Sequence, residues 1–223
     1  MDFMKWLNSL DELLYEVMSW LVFFPVTLWR AVRHPLATMA YADRQLDLPE
    51  SEQYSDAVSP PLFLTLALLI GHLAAAALGE EDAIVANHHG LAGLVSDDTS
   101  ALLFRLLLFS LFPMLVSTCA LLKLGTPVRR ETLRLPFYAQ CYPTAVFALG
   151  LSLGGALARA GNHRADVAGV ALISAAICYY LAVETLWFRH SLGMSGIKAF
   201  GLACFTLIAG FIVIVALGFL FRG

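Results

Sequence analysis

Residues 199–221, AFGLACFTLIAGFIVIVALGFLF, run from Ala199 to Phe221 without a charged side chain. A hydrocarbon layer about 30 Å thick is crossed by about 20 apolar residues in a helix, which satisfies its own peptide groups where water is absent. This stretch is long enough to cross. Four runs upstream share its character: Pro61 to Leu78 (PLFLTLALLIGHLAAAAL), Ala101 to Leu122, Phe137 to Ala158 and Val167 to Phe188. The breaks between them are polar: an acidic stretch from Gly79 to Ser100, the basic turn KLGTPVRRETLRLP, the link RAGNHRAD and the connector RHSLGMSGIK. The expected fold is all-α, a polytopic membrane protein with five transmembrane helices in residues 60–223, preceded by an N-terminal segment, 1–59, carrying an amphipathic interfacial helix.

Composition agrees. Of 223 residues, 59% are hydrophobic and 14% charged, against about 25% charged in soluble domains. A soluble enzyme and a disordered chain are both excluded. A net charge of -3 leaves no basic excess for binding nucleic acid. Cys119, Cys141, Cys178 and Cys204 sit in four different apolar runs without a Cys-x-x-Cys pair; they read as reduced packing residues. The opening MDFMKWLNSLDELLYE carries four carboxylates against one Lys, opposite to the basic region of a signal peptide, so it is expected to remain.

Cytoplasmic loops accumulate Lys and Arg. Lys5, Arg30, Arg33 and Arg44 precede the first span, Lys123, Arg129, Arg130 and Arg134 follow the second, and Arg189 and Lys198 follow the fourth. Arg159 and Arg164 oppose them on the other side. The majority predicts a cytoplasmic N-terminus and an external acidic loop.

Leu13 to Trp29 (LLYEVMSWLVFFPVTLW) contains Glu16 and Pro25. Apolar residues recur at Leu10, Leu13/Leu14, Val17, Leu21 and Phe24, which predicts an amphipathic helix along the membrane surface, with a sixth span as the alternative. Residues 34–59 turn polar, with Asp43, Asp47, Glu50, Glu52 and Asp56 against Arg44, and are punctuated by Pro35 and Pro49. They read as a cytoplasmic connector.

Three stretches carry a resemblance. FFPVTLWRAVRHP leads into SPPLFLTLALLIG; LLKLGTPVRRETLRLPFYAQCYPTAV joins a Gly-containing basic turn to a Tyr and a Pro opening the third span; RHSLGMSGIKA is a short His/Gly/Ser/basic connector before the last span. In this order the chain resembles the Yip-domain five-span membrane proteins, over residues 20–221. The resemblance implies a five-helix integral protein of the bacterial inner membrane. Eukaryotic members contact Rab-type GTPases, but their long N-terminal region and Asp-Leu-Tyr-Gly-Pro motif are missing here, so that partner does not carry over.

Ionisable groups within spans cost roughly 2.5–3.5 kcal/mol at the centre, and each calls for an explanation. Arg105, about one turn inside the second span, is expected to snorkel to the headgroups, or to contact an anion together with Asp97 or Asp98. Glu184, near the cytoplasmic end of the fourth span, is expected to pair with a cytoplasmic Arg or Lys. His72 reads as a packing or interhelical hydrogen-bonding group rather than a ligand. His88 and His89 with Glu80, Glu81, Asp82, Asp97 and Asp98 form a solvated acidic loop whose spacing does not specify a metal. No metal or cofactor is expected. Gly150, Gly154 and Ala158 repeat every four positions, and Ala168, Ala171, Ala175, Cys178 and Ala182 form a small stripe on the next span. These two stripes are expected to pack together, with a homodimer face as the alternative.

His-Glu-x-x-His, Gly-x-Ser-x-Gly, P-loop and paired in-membrane Asp signatures do not occur in the sequence, which leaves catalysis without a recognisable nucleophile or metal site. The expected function is therefore non-enzymatic: a scaffold or accessory subunit meeting lipid or membrane-protein partners through its basic collar, with Arg129, Arg130 and Arg134 as candidate contacts. The alternative is a small permease in which Glu184, Tyr179, Tyr180 and Gln140 line a path. A membrane enzyme working at the acidic loop is a third possibility.

Overall fold

The computed structural model describes residues 2–49, 52–78 and 98–220. They form seven helices and no strand: α1 (Asp2–Arg33), α2 (Pro35–Gln45), α3 (Pro60–Ala77), α4 (Asp98–Lys123), α5 (Arg130–Ala158), α6 (His163–Leu192) and α7 (Gly196–Leu220). Five of these, α3 to α7, are long and apolar enough to cross a membrane. The chain is an all-α integral membrane protein of the expected class.

Helix ends follow local chemistry. Pro60 and Pro61 open α3, where a missing N–H leaves no intrahelical bond unmade. The Asn162 side chain accepts the Arg164 N–H at the start of α6, and Gly193 ends that helix in the left-handed conformation, φ 60°. His34 separates α1 from α2 with φ -134° and ψ 58° because Pro35 disfavours helical backbone in the residue before it.

α5 is the central helix. More than half of its membrane window is buried, 56%, against 22–33% for the other four spans. It packs on α3, α4 and α6 and also on α2. The contact with α6 is antiparallel and close: a β-carbon on Gly150 would lie 2.6 Å from the Ala176 methyl, and one on Gly154 2.9 Å from the Gly169 carbonyl oxygen. Around the middle of the bundle, Phe112 of α4, Phe147 of α5, Tyr180 of α6 and Phe211 of α7 share an aromatic cluster, with Phe147 and Tyr180 stacked at 4.7 Å.

Two expectations are corrected. The described residues of the 34–59 connector pack onto the bundle: α2 buries Thr38, Met39 and Ala42, and Met39, Ala42 and Val58 join Phe24, Phe63, Cys141 and Tyr142 in one core. Both backbone groups of Val58 are held by side chains from two helices, α1 and α5: its N–H by Thr27 Oγ1 at 3.1 Å and its carbonyl by the Tyr142 hydroxyl at 2.9 Å. The second correction concerns α6. Gly169, Ala176 and Tyr180 are buried, whereas Ala168, Ala171, Ala175, Cys178 and Ala182 are all exposed. The stripe expected to meet α5 points outward, because lipid accepts a small side chain as readily as a helix neighbour does, and size alone does not choose the inner face.

α1 is a single helix through Pro25. It turns Phe24, Thr27 and Ala31 inward and leaves Leu14, Met18, Leu21, Val22 and Trp29 exposed. Arg30 anchors it to the segment ahead of α3 through Asp56 at 2.9 Å.

Candidate functional site

The α5–α6 register that brings Gly154 against Gly169 also sets two polar pairs opposite each other nearer the basic end of the bundle. On α5 these are Gln140 and Thr144; on α6, Tyr180 and Glu184. Residues four apart share one helix face, so each helix presents a two-step polar ladder to the other. All four are fully buried, with no solvent exposure. Gln140 lies beside Glu184, and Thr144 beside Tyr180. Yet both Glu184 carboxylate oxygens, both Gln140 amide atoms, the Thr144 hydroxyl and the Tyr180 hydroxyl are without a well-formed hydrogen bond. Ser117 of α4 is a further buried hydroxyl without a partner.

This concentration demands a reason. Buried polar groups are nearly always hydrogen-bonded, and an unpaired one costs about 1–3 kcal/mol, more when charged. Neighbouring hydroxyls in the same helices behave normally: Ser110 donates to the Leu106 carbonyl, Ser174 to Val170 and Thr185 to Leu181. The cluster instead offers inward-facing oxygen atoms from two helices, together with one amide nitrogen. Chemically it suits a species that brings positive charge or donors to a single carboxylate.

The expectation that Glu184 pairs with a cytoplasmic cation is corrected. Its side chain is buried beside Gln140, while Arg189 is exposed. At about 100° per residue, Arg189 lies some 140° around α6 from Glu184, on another face. The expected permease set is brought together in part. Gln140, Tyr180 and Glu184 converge, but Tyr179 turns the other way and donates to the Ala31 carbonyl of α1 at 2.9 Å. Thr144 and Ser117 were not anticipated; the spacing of Thr144 from Gln140 was the available signal.

Arg105 is half-buried, and its Nη1 approaches His72 Nδ1 at 3.4 Å, joining α4 to α3. This supports an interhelical role for His72 and gives Arg105 a protein contact as well as a route to the headgroups. The acidic loop with His88, His89 and Asp97 lies outside the described residues. Among the described residues no group of three His, Cys, Asp or Glu side chains is placed to hold a metal. The face bearing Gly150, Gly154 and Ala158 is occupied by α6 of the same chain.

Arg129, Arg130 and Arg134 are exposed at the start of α5. Thr132 Oγ1 accepts the Arg129 N–H, and the Arg134 guanidinium stands 5.6 Å over the Tyr138 ring. Outside the spans, Asp56 accepts from Tyr41 and Arg30. The Tyr41 hydroxyl beside it, and then the Arg30 guanidinium, hold its carboxyl below the usual range despite partial burial. Burial raises Asp43 to about 6, against the opposing pull of Arg44.

Comparison with known protein families, with curated proteins and with solved structures gives no match to this chain.

Proposed function

We propose that this chain is a non-enzymatic membrane protein of the permease class, whose bundle takes up a monovalent cation, the proton included, at Glu184. The observation that carries this reading is the fully buried Glu184 carboxylate, without a cationic partner among the described residues and with neither oxygen in a well-formed hydrogen bond, set between Gln140, Thr144 and Tyr180. An ionisable side chain inside a membrane bundle points to a functional site before a structural one. Polar residues that only glue helices together make well-formed hydrogen bonds across the interface; here Gln140 lies beside Glu184 and Thr144 beside Tyr180 without one. One carboxylate balances one positive charge, so a proton or alkali cation suits the site better than a divalent ion, which collects several carboxylates. The purified protein in liposomes is expected to dissipate an imposed H⁺, Na⁺ or K⁺ gradient, and Glu184→Gln to abolish the flux. Leakage no greater than that of empty vesicles, for all three ions, would sink the reading.

The scaffold or accessory-subunit reading is supported by a different feature, the outward apolar face of α1 at Leu14, Met18, Leu21 and Val22. On that reading, glutamate substitutions at Met18 and Leu21 release a co-purifying membrane partner while Glu184→Gln has no phenotype. Residence in a bacterial inner membrane with the Arg129–Arg134 end inward, and kinship with Yip-domain proteins, belong to the same proposal. They rest on the Lys and Arg distribution and on the three stretches quoted above.

A further inference from the structure

Between α4 and the first turns of α5 lies a crevice of about 560 Å³, bordered by Met114, Arg130, Glu131, Leu133, Arg134, Phe137 and Tyr138. Its polarity is graded along the helix axis. Arg130 is the first residue of α5, and Arg134 follows one turn later on the same face. Phe137 lies about 10 Å along the helix from Arg130, and Met114 about 13 Å from the adjacent end of α4. The guanidiniums therefore stand at the end of the candidate span and the apolar residues deeper along it.

We propose that this crevice binds a glycerophospholipid, its phosphodiester between Arg130 and Arg134 and its first acyl carbons along Met114, Leu133 and Phe137. Charge complementarity identifies the occupant. Two guanidiniums against the Glu131 carboxylate leave one positive charge, which one phosphodiester neutralises. Guanidinium groups meet phosphate oxygens in paired hydrogen bonds. Arg134 is already oriented by its stacking over Tyr138 at 5.6 Å. A volume of about 560 Å³ falls in the range of small-molecule sites, about 300–1,000 Å³, enough for a headgroup and the first part of a chain. Exposed Met114 on the floor suits a flexible apolar ligand. This inference is independent of the reading of Glu184.

The test is native mass spectrometry of the intact protein titrated with short-chain phosphatidylglycerol, with inorganic phosphate in a parallel titration. A one-to-one lipid adduct is expected. Its affinity should fall about tenfold or more in the Arg130→Ala/Arg134→Ala double variant, the loss of one or two charge-assisted contacts. It should fall also in Met114→Glu, which lies on the acyl path, and stay within about twofold in Arg129→Ala, a neighbouring exposed charge outside the crevice. Three results would overturn the proposal. Unchanged binding in the double variant removes the site; an equal loss in Arg129→Ala reduces it to diffuse surface charge; inorganic phosphate binding as tightly as the lipid makes it a free-anion site.

Discussion

Gly169 and Gly154 bring the backbones of α6 and α5 together so closely that a β-carbon on Gly169 would sit 2.5 Å from the Gly154 carbonyl oxygen and 2.5 Å from the Ala158 nitrogen. Both obstacles are backbone, so the helices themselves must move to admit a side chain. In a membrane, where lipid tails are as apolar as the helices, such close packing is much of what holds spans together. Gly169→Leu is expected to destabilise the bundle by about 1–3 kcal/mol, the usual cost of overpacking, read as a lower thermal midpoint in detergent. Ala175→Leu, on the exposed face of the same helix, should stay within about 0.5 kcal/mol. Equal losses in the two variants would refute the assignment of faces.

Val58 is the joint between the N-terminal helices and the bundle. Thr27 satisfies its N–H and Tyr142 its carbonyl, and the residue is almost fully buried. Tyr142→Phe leaves a buried carbonyl without its donor, at a cost of about 1–3 kcal/mol. The loss should appear as faster protease cleavage in residues 52–59 as well as a lower melting temperature. If Tyr142→Phe melts like the parent chain and resists protease equally, the joint contributes nothing.

Asp43 should give the N-terminal region a pH dependence of unusual sign. Its carboxyl is half-buried with Oδ1 unpartnered, and burial lifts its pKa from 3.8 to about 6. The folded state thus binds the proton more tightly than the unfolded state, so stability declines as pH rises from about 4 to about 6 and levels off above. Asp43→Asn should raise the melting temperature above pH 6 and change it little below pH 4. Asp56 acts in the opposite sense: its lowered pKa means its contribution is present above the unfolded value and fades as pH falls through the folded one. Being largely exposed, it adds little. Melting curves of Asp43→Asn from pH 4 to 8 check the sign, and a uniform shift at every pH would contradict it.

What the sequence reveals here depends on which solvent does the selecting. Hydrocarbon imposes a length rule on every span, so the runs beginning at Pro61 and Ala199 could be read directly as helices. No comparable rule governs α2: its buried face is only Thr38, Met39 and Ala42, too few residues to stand out in an acidic stretch containing Pro35 and Pro49. The inner face of α6 is hidden in the sequence because the alanines at 168, 171, 175 and 182 satisfy the small-residue pattern while facing outward, and the close approach is made by Gly169 and Ala176. In the candidate site, Glu184 and Gln140 were visible as polar residues in apolar runs. Thr144 was not, since a hydroxyl in a span usually folds back on its own helix, as Thr185 does onto Leu181. Only the register of α5 against α6 separates the two cases.

Glu184 gives the last prediction, because structural and functional roles demand opposite responses from it. A buried carboxylate without partners is a liability for folding, and its removal by an apolar or neutral side chain of similar volume is often neutral or stabilising. If the cluster exists to receive a cation, Glu184→Gln should keep or raise the melting temperature in detergent while abolishing ion flux in liposomes. Glu184→Gln also replaces one carboxylate oxygen with an NH₂ donor, giving the Gln140 carbonyl and the Tyr180 hydroxyl oxygen a donor to accept from. Were Glu184 instead a structural tie, the same substitution would lower the melting temperature and leave permeability at the level of protein-free vesicles in both forms. Measuring midpoint and flux on one preparation separates these outcomes. A Gln140→Leu variant adds a second readout: it removes the amide beside the carboxylate without touching the charge, so a binding site predicts altered choice among H⁺, Na⁺ and K⁺, whereas a structural tie predicts only a stability change.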